Sequence, residues 1–404
     1  MNLTGVVAEY NPFHKGHEYQ LKMARELSSC DGIVVVMSGN FVQRGEPAII
    51  DKFKRAEAAV YGGADLVIEL PMPFSSQNAE MFANAAIKEL NKLHINNLSF
   101  GCESTDIELM KKIANLQLSD KFNREIKCEI KNGISYPKAL SNVISSLLGE
   151  EAYEIANSPN NVLGIEYIKS ALKHNLSWNF VPIVRIGKEH NDLIATGHYD
   201  SATAIRKVLL DSPLNSISVP PKSREKINEF YEKHGKFNYF NNYLSLLYYK
   251  IIELGPEKLN DIYEVTEGLN NKIYSNVFMH NNIDDFIMSL KSKRYTYSKL
   301  RRVLLNILLD LTNDDIRYFM STNTNYVKVL AFNDIGRNII KETRQNGTIL
   351  ITRYSDYNKY NLNASELPLF KLTDKSTNIY NISLDNKNLN TEYTLNSIYV
   401  KNIN

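Results

Sequence analysis

Cysteine is scarce in this chain: Cys30, Cys102 and Cys128 are the only three in 404 residues, an odd count with no paired spacing. That argues against a disulfide framework or a zinc knuckle and makes a reducing cytoplasm the expected compartment. No run approaches the roughly 20 apolar residues that span a bilayer. The start, Met1 to Glu9, lacks the basic and long apolar regions of a signal peptide, so a soluble protein that stays inside the cell is expected. Net charge is also nearly absent, with 47 Lys and Arg against 45 Asp and Glu. Any contact with nucleic acid must then come from a local basic patch. The one tryptophan, Trp178, precedes a strand-like run and reads as a packing residue. Repeats and heptads are missing too. Nothing in the sequence marks an obligate protein partner.

What is present is ordinary globular usage, 43% hydrophobic and 23% charged, long enough for about two or three domains. In the first two hundred residues, strand-length apolar runs alternate with helical patterns. The runs are Leu3–Ala8, Gly32–Met37, Asp65–Leu70, Asn97–Gly101 and Phe180–Arg185; the helical patterns are His17–Leu27, Phe53–Tyr61 and Ala79–Leu93. Near-continuous apolar strands separated by helices predict a doubly wound parallel α/β sheet with its ligand at the strands' carboxyl ends. Between Thr105 and His174, patterns at Ile107–Leu116, Phe122–Asn132, Tyr136–Leu148 and Val162–Leu172 predict a helical insertion. Pro213, Pro220 and Pro221 punctuate a linker. The expected division is therefore 1–212, a nucleotide-binding domain, and 213–404, a mainly helical domain. Within the second, strand-like Tyr326–Phe332 and Thr348–Arg353 flank a helix at Ile335–Thr343, a small mixed segment at about 324–380. The asparagine-rich tail from Asn381 is poorly patterned.

The first strand runs into Glu9-Tyr10-Asn11-Pro12-Phe13-His14-Lys15-Gly16-His17 and then a helix. Far fewer than one His-x-Gly-His is expected by chance at this composition, and its strand-turn-helix setting suits a nucleoside triphosphate. The glycine admits phosphate close to the backbone, the helix start offers unpaired N–H groups, and imidazoles can donate to charge as it develops. A metal site is the competing reading, but no third ligand stands at metal-site spacing. The motif resembles the HxGH signature of the HIGH superfamily of nucleotidyltransferases, in which the two histidines bind the triphosphate. A second superfamily signature, Ser-x-Thr-x-x-Arg, is matched by Ser201-Ala202-Thr203-Ala204-Ile205-Arg206. Alone, that segment is equally a capped helix start.

Longer motifs narrow the resemblance: Met37–Gly45, Gly63–Pro71, Ser99–Gly101, Ser158–Gly164 and Lys293–Thr296. Together with Glu9–His14 they resemble the bacterial tRNA(Met) cytidine acetate ligases as far as at least Leu311. The resemblance implies activation of acetate by ATP, with Mg²⁺ expected, to an enzyme-bound acetyl-adenylate. The acetyl group then passes to N4 of the wobble cytidine of elongator tRNA(Met). His14, His17, Thr203 and Arg206 are the implied catalytic residues. The implied ATP site comprises Val7, Ala8, Glu9, Tyr10, Asn11, Pro12, Phe13, Lys15, Gly16, Glu18, Tyr19 and Gln20. Gly101, Asn161, Arg185, Ile186 and Ser201 complete it. Lys15 stands where the family more often has asparagine, at a position expected to face solvent or phosphate. The loop with Ser38, Asn40, Gln43 and Arg44 is the expected acetate pocket, Arg44 being equally a solvated loop residue.

Lys291, Lys293, Arg294, Lys299, Arg301 and Arg302, with Tyr295 and Tyr297 among them, form a stretch free of acids. Such a stretch is a solvated helix face or, beside an adenylate-forming domain, a surface for tRNA phosphates and unpaired bases. Lys291, Lys293, Arg294, Tyr295, Lys299, Arg301 and Arg302 are the expected tRNA contacts. His190 and His198, in the loop before Ser201, are further candidates for substrate handling. Two other functions compete: a superfamily enzyme with a small-molecule acceptor, and a non-catalytic RNA-binding module. Dependence of pyrophosphate exchange on acetate discriminates against the first, and turnover of bound ATP against the second.

Overall fold

The computed structural model describes residues 1–134, 136–185, 200–212, 217–292 and 294–401. Five strands and the helices between them make the first half: β1 (Leu3–Ala8), α1 (Lys15–Ser28), β2 (Gly32–Ser38), α2 (Lys52–Tyr61), β3 (Leu66–Leu70), α3 (Ala79–Asn91) and β4 (Asn97–Cys102). The insertion then supplies α4 (Ile107–Leu118), α5 (Asp120–Lys131), α6 (Tyr136–Leu148), α7 (Glu150–Asn157) and α8 (Pro159–Lys173) before β5 (Asn179–Val184). The second half opens with α9 (Ala202–Asp211), α10 (Pro221–His234), α11 (Leu244–Leu259), α12 (Leu269–Asn276), α13 (Ile283–Leu290), α14 (Tyr297–Leu309) and α15 (Asn313–Ser321). It closes with β6 (Tyr326–Phe332), α16 (Asp334–Gln345), β7 (Ile349–Ile351), α17 (Leu367–Ile382), α18 (Thr391–Thr394) and β8 (Ile398–Tyr399).

The strands lie in the order β5-β4-β1-β2-β3-β6-β7, with β8 beside β6. The first five are parallel, in register from Leu3 against Gly32 to Ser38 against Leu70. Their even burial explains the near-continuous apolar runs: β2 and β3 are buried at every residue. On one face Val34, Val36, Leu66 and Leu98 pack under Phe82 of α3, Ile165 of α8 and Ile339 of α16. On the other, Val6, Ile33, Val35 and Val67 meet Leu21 and Ala24 of α1 and Phe53 and Val60 of α2. The helices of the second half surround a core of their own, which takes in Phe41, Ile49, Ile50 and Met72 from loops at the sheet's carboxyl edge. Those helices therefore roof the site. Each fully buried isoleucine there contributes about 1.5–3 kcal/mol.

Two features were not marked by the sequence pattern. In the small mixed segment, β6 pairs antiparallel with β3 and extends the sheet of the first half across the division expected at 212/213. In the poorly patterned tail, Glu392 is wholly buried and β8 pairs with β6. A buried quartet explains both. Lys52 reaches Glu69 at 2.6 Å and Glu392 at 2.5 Å, while Lys328 reaches Glu69 at 3.1 Å and also bonds Glu392. Two lysines and two glutamates balance, so these charges are tolerable in the interior only while all four stay together. That ties α2, β3, β6 and α18 into one body.

Candidate nucleotide site

His14 caps α1 and folds back over it. Its Nδ1 accepts the Gly16 N–H at 3.1 Å, and its own N–H donates to His17 Nδ1 at 3.2 Å. The rings stack at 3.6 Å between centroids. A Cβ on Gly16 would lie 3.0 Å from the His14 ring, so the fold-back favours glycine. With both Nδ1 atoms accepting from backbone N–H groups, each neutral imidazole carries its proton on Nε2 and presents a donor to a ligand. Burial, with Arg185 and Arg206 nearby, holds His14 down to about 3. Burial and the His14 neighbour push His17 well below its ordinary value too. Both are neutral donors near pH 7.

The rest of the turn is held from beneath. Phe13 fits against Gly62, where a Cβ would lie 2.2 Å from its ring. Asn11 Oδ1 accepts the Ile49 N–H at 2.8 Å. The buried Arg55 guanidinium donates to the carbonyls of Glu9 at 2.6 Å, Ser38 at 3.2 Å, Ile50 at 3.1 Å and Gly39. One side chain thus gathers the carboxyl ends of β1 and β2. Burial raises Glu9, whose carboxylate accepts the Gln43 N–H at 2.9 Å. Val7 and Ala8 end β1 half-buried, and Tyr10 and Pro12 are buried in the turn. Lys15, Tyr19 and Gln20 are half-buried on α1, while Glu18 faces solvent.

The second motif joins this turn. Arg206 Nη1 donates to the Asn11 carbonyl at 2.8 Å, and Nη2 reaches the Thr203 hydroxyl at 3.3 Å and Glu46 at 3.6 Å. Ser201 caps α9 by accepting the Ala204 N–H at 3.2 Å. From the other side, the stem of Arg185 crosses Gly101, where a Cβ would lie 3.3 Å from its Cγ, and its guanidinium bonds Asn160. Asn161 is buried beside them, and its Oδ1 accepts from Glu103 N–H at 2.9 Å and Ser104 N–H at 3.2 Å. Two imidazole donors and two guanidiniums thus converge beyond β1 and β4, an arrangement suited to a polyphosphate. Ile186, His190, His198 and Lys293 lie outside the described residues.

Asn40 accepts the Lys52 N–H at 2.9 Å and donates to Thr377 at 3.3 Å, so its amide is already partnered. Ser38 is buried; Gln43 is half-buried and Arg44 exposed on the adjoining loop. In the basic segment, Tyr295 is buried with its hydroxyl on the Thr266 carbonyl at 2.6 Å, not offered as a stacking face. Arg302 pairs with Glu264 at 3.3 Å, and Arg301 with Glu46 at 2.8 Å. Arg294 is exposed and pairs with Glu267; Lys299 covers the Tyr295 ring at 4.8 Å; Lys291 is exposed. Sequence reasoning missed Arg55 and Glu46. An arginine on the apolar side of a helical pattern was the only available sign of the first.

A Rossmann-like sheet with paired histidines after its first strand and an arginine motif after its fifth defines a nucleotidyltransferase of the HIGH type. The HIGH Nucleotidyl Transferase family matches residues 1–394. The chain belongs to that family and, within it, to the tRNA(Met) cytidine acetate ligases. It is 38% identical to the tRNA(Met) cytidine acetate ligase of Clostridium perfringens over 98% of this chain and 99% of that one. The Thermoanaerobacter sp. (strain X514) protein of that name is 35% identical over 96% of this chain and 97% of its own. Among solved structures, Thermotoga maritima TmcAL matches in its apo form with a TM-score of 0.94 at 31% identity. The same protein bound with alpha-thio ATP matches with a TM-score of 0.92; each comparison covers 100% of both chains.

Proposed function

We propose that this chain activates acetate with ATP and transfers the acetyl group to N4 of the wobble cytidine of elongator tRNA(Met). One observation carries the reading: Arg206 bonded to the Asn11 carbonyl at 2.8 Å, which draws the arginine motif onto the histidine turn. In the first step a carboxylate oxygen bonds the α-phosphorus. The α–β bridging bond breaks, and its electron pair leaves with pyrophosphate. The Nε2–H donors of His14 and His17 and the guanidinium of Arg206 meet that departing charge. In the second step the cytidine N4 attacks the acetyl carbonyl, AMP leaves, and the amine gives up a proton. No protein nucleophile is needed; positioning and charge compensation suffice.

Among the described residues no group of three His, Cys, Asp or Glu side chains could cage a metal. Mg²⁺, if used, would therefore ride on the triphosphate, as is usual for that ion. Lys291, Arg294 and Lys299 are the better candidates for RNA phosphates: Arg301 and Arg302 are largely covered where they face Glu46 and Glu264, whereas Arg294 stays exposed even in its pair with Glu267. None of the helices, among the described residues, is long and apolar enough to cross a membrane, in keeping with a cytoplasmic enzyme. Incubation with ATP, acetate and total tRNA should yield acetylated cytidine by mass spectrometry. Pyrophosphate exchange that ignores acetate and answers to a phosphorylated small molecule would overturn the reading.

A further inference from the structure

Five buried polar side chains at the carboxyl edge of the sheet have hydrogen-bonding atoms without a partner among the described residues. They are Asn11 through Nδ2, the hydroxyls of Ser38, Ser75 and Ser76, and both amide atoms of Gln77. None is more than 3% exposed. Unmet donors in an interior cost stability in every folded molecule, so their concentration in one place needs a reason.

Topology brings them to one edge of the sheet. Ser38 ends β2 in register with Leu70, which ends β3. Beyond it the chain turns tightly: the Ser75 N–H donates to the Pro71 carbonyl at 3.1 Å, and the Ser76 N–H to the Pro73 carbonyl at 3.2 Å. Residues 75–77 thus stay within a turn or so of that strand end. Gln77 stands just ahead of Asn78, the cap of α3, whose positive end favours an anion. Asn11 follows β1, the strand next to β2, and its Oδ1 is already taken by Ile49.

The unmet groups are mostly donors: three hydroxyls and two amide NH2 groups against one amide oxygen, which a neighbouring hydroxyl can satisfy. Such a set suits a ligand that only accepts, a carboxylate. Val36 and Leu70 are wholly buried in the adjoining core, and Phe74 packs against both that core and the helical roof. Those apolar neighbours suit a methyl group better than a longer chain.

We propose that Ser38, Ser75, Ser76 and Gln77, with Asn11, form the pocket for acetate; this rests on the ligase reading above. The nucleotide residues cluster at the ends of β4 and β1 and the pocket at the ends of β2 and β3. The two substrates then meet over β1, where the carboxylate oxygen forms its bond to the α-phosphorus as pyrophosphate departs. The partnered Asn40 amide has no such capacity.

The test is acetate-dependent ATP–pyrophosphate exchange with wild type, Gln77→Met and the double variant Ser75→Ala/Ser76→Ala. The KM for acetate should rise by ~10-fold or more in each variant while the KM for ATP stays within about twofold. Unliganded variants should melt no lower than wild type, because the groups removed have no partner among the described residues. Acetate added with a non-hydrolysable ATP analogue should raise the wild-type midpoint more than theirs. An unchanged acetate KM in both variants overturns the pocket. So does failure of Gln77→Met to fold, which would reveal a structural role. Wild type without any acetate-dependent exchange would sink the ligase reading instead, and the acetate-induced midpoint shift would still decide the pocket.

Discussion

The turn from Glu9 to His17 and the segment from Lys291 to Arg302 both concentrate polar side chains, yet the fold uses them in opposite ways. In the turn, backbone N–H groups engage one nitrogen of each imidazole and leave the other as a donor for a ligand. In the segment, carboxylates from elsewhere neutralise the three arginines: Glu267 on Arg294, Glu46 on Arg301 and Glu264 on Arg302. A motif whose partners are its own backbone keeps its meaning when the chain folds. A charge run takes its meaning from whatever packs beside it.

Breaking the turn should have the largest effect. His17→Ala or Arg206→Ala should each slow adenylate formation on the order of a hundredfold or more, read by pyrophosphate exchange. Near-normal rates in both would remove the contrast, since the turn would then be no more functional than the segment.

The next effect is on stability against pH. Both histidines titrate below their ordinary value when folded, His14 at about 3. In the unfolded chain they bind protons near pH 6.5, where the folded chain does not. Their contribution is therefore fully present above about pH 6.5 and is lost as pH falls toward 3. Denaturant midpoints across that window should fall less steeply in His14→Asn than in wild type; equal slopes would mean that the turn is not so sequestered.

The smallest effects sharpen the segment itself. Arg302→Ala should destabilise by about 1–3 kcal/mol, from a Glu264 carboxylate left half-buried without its partner, measurable by urea titration. Arg294→Ala, at an exposed pair, should leave the midpoint unchanged and reduce the salt slope of tRNA binding by about one. If instead the two variants behave alike, burial does not divide this segment.

Much of the site was legible beforehand, and for a local reason. Leu3–Ala8 is a strand in the structure at the predicted bounds, and the His-x-Gly-His turn follows as expected. Spacing along one strand-turn-helix unit fixes which groups face each other. Tyr295 shows the converse: as a tyrosine in a basic run it resembled a base-stacking platform, but Thr266 and the surrounding core enclose it. Arg55 was invisible as the brace of two strand ends, because its four acceptors are carbonyls that no residue identity encodes. The loop from Ser75 to Gln77 was passed over for a related reason. Its proposed role rests on buried side chains without a partner among the described residues, which only a folded interior can reveal.

By itself the sequence determined the parallel α/β core, the histidine turn and the order of the two motifs, because each depends on periodicity or spacing along a short stretch. The tertiary structure alone decided that β6 extends the sheet, that Glu392 closes a buried charge quartet with Lys52, Glu69 and Lys328, and which cations remain exposed. Those outcomes depend on pairings between residues tens to hundreds of positions apart. Their energies come from burial and charge balance in three dimensions, which no local pattern records.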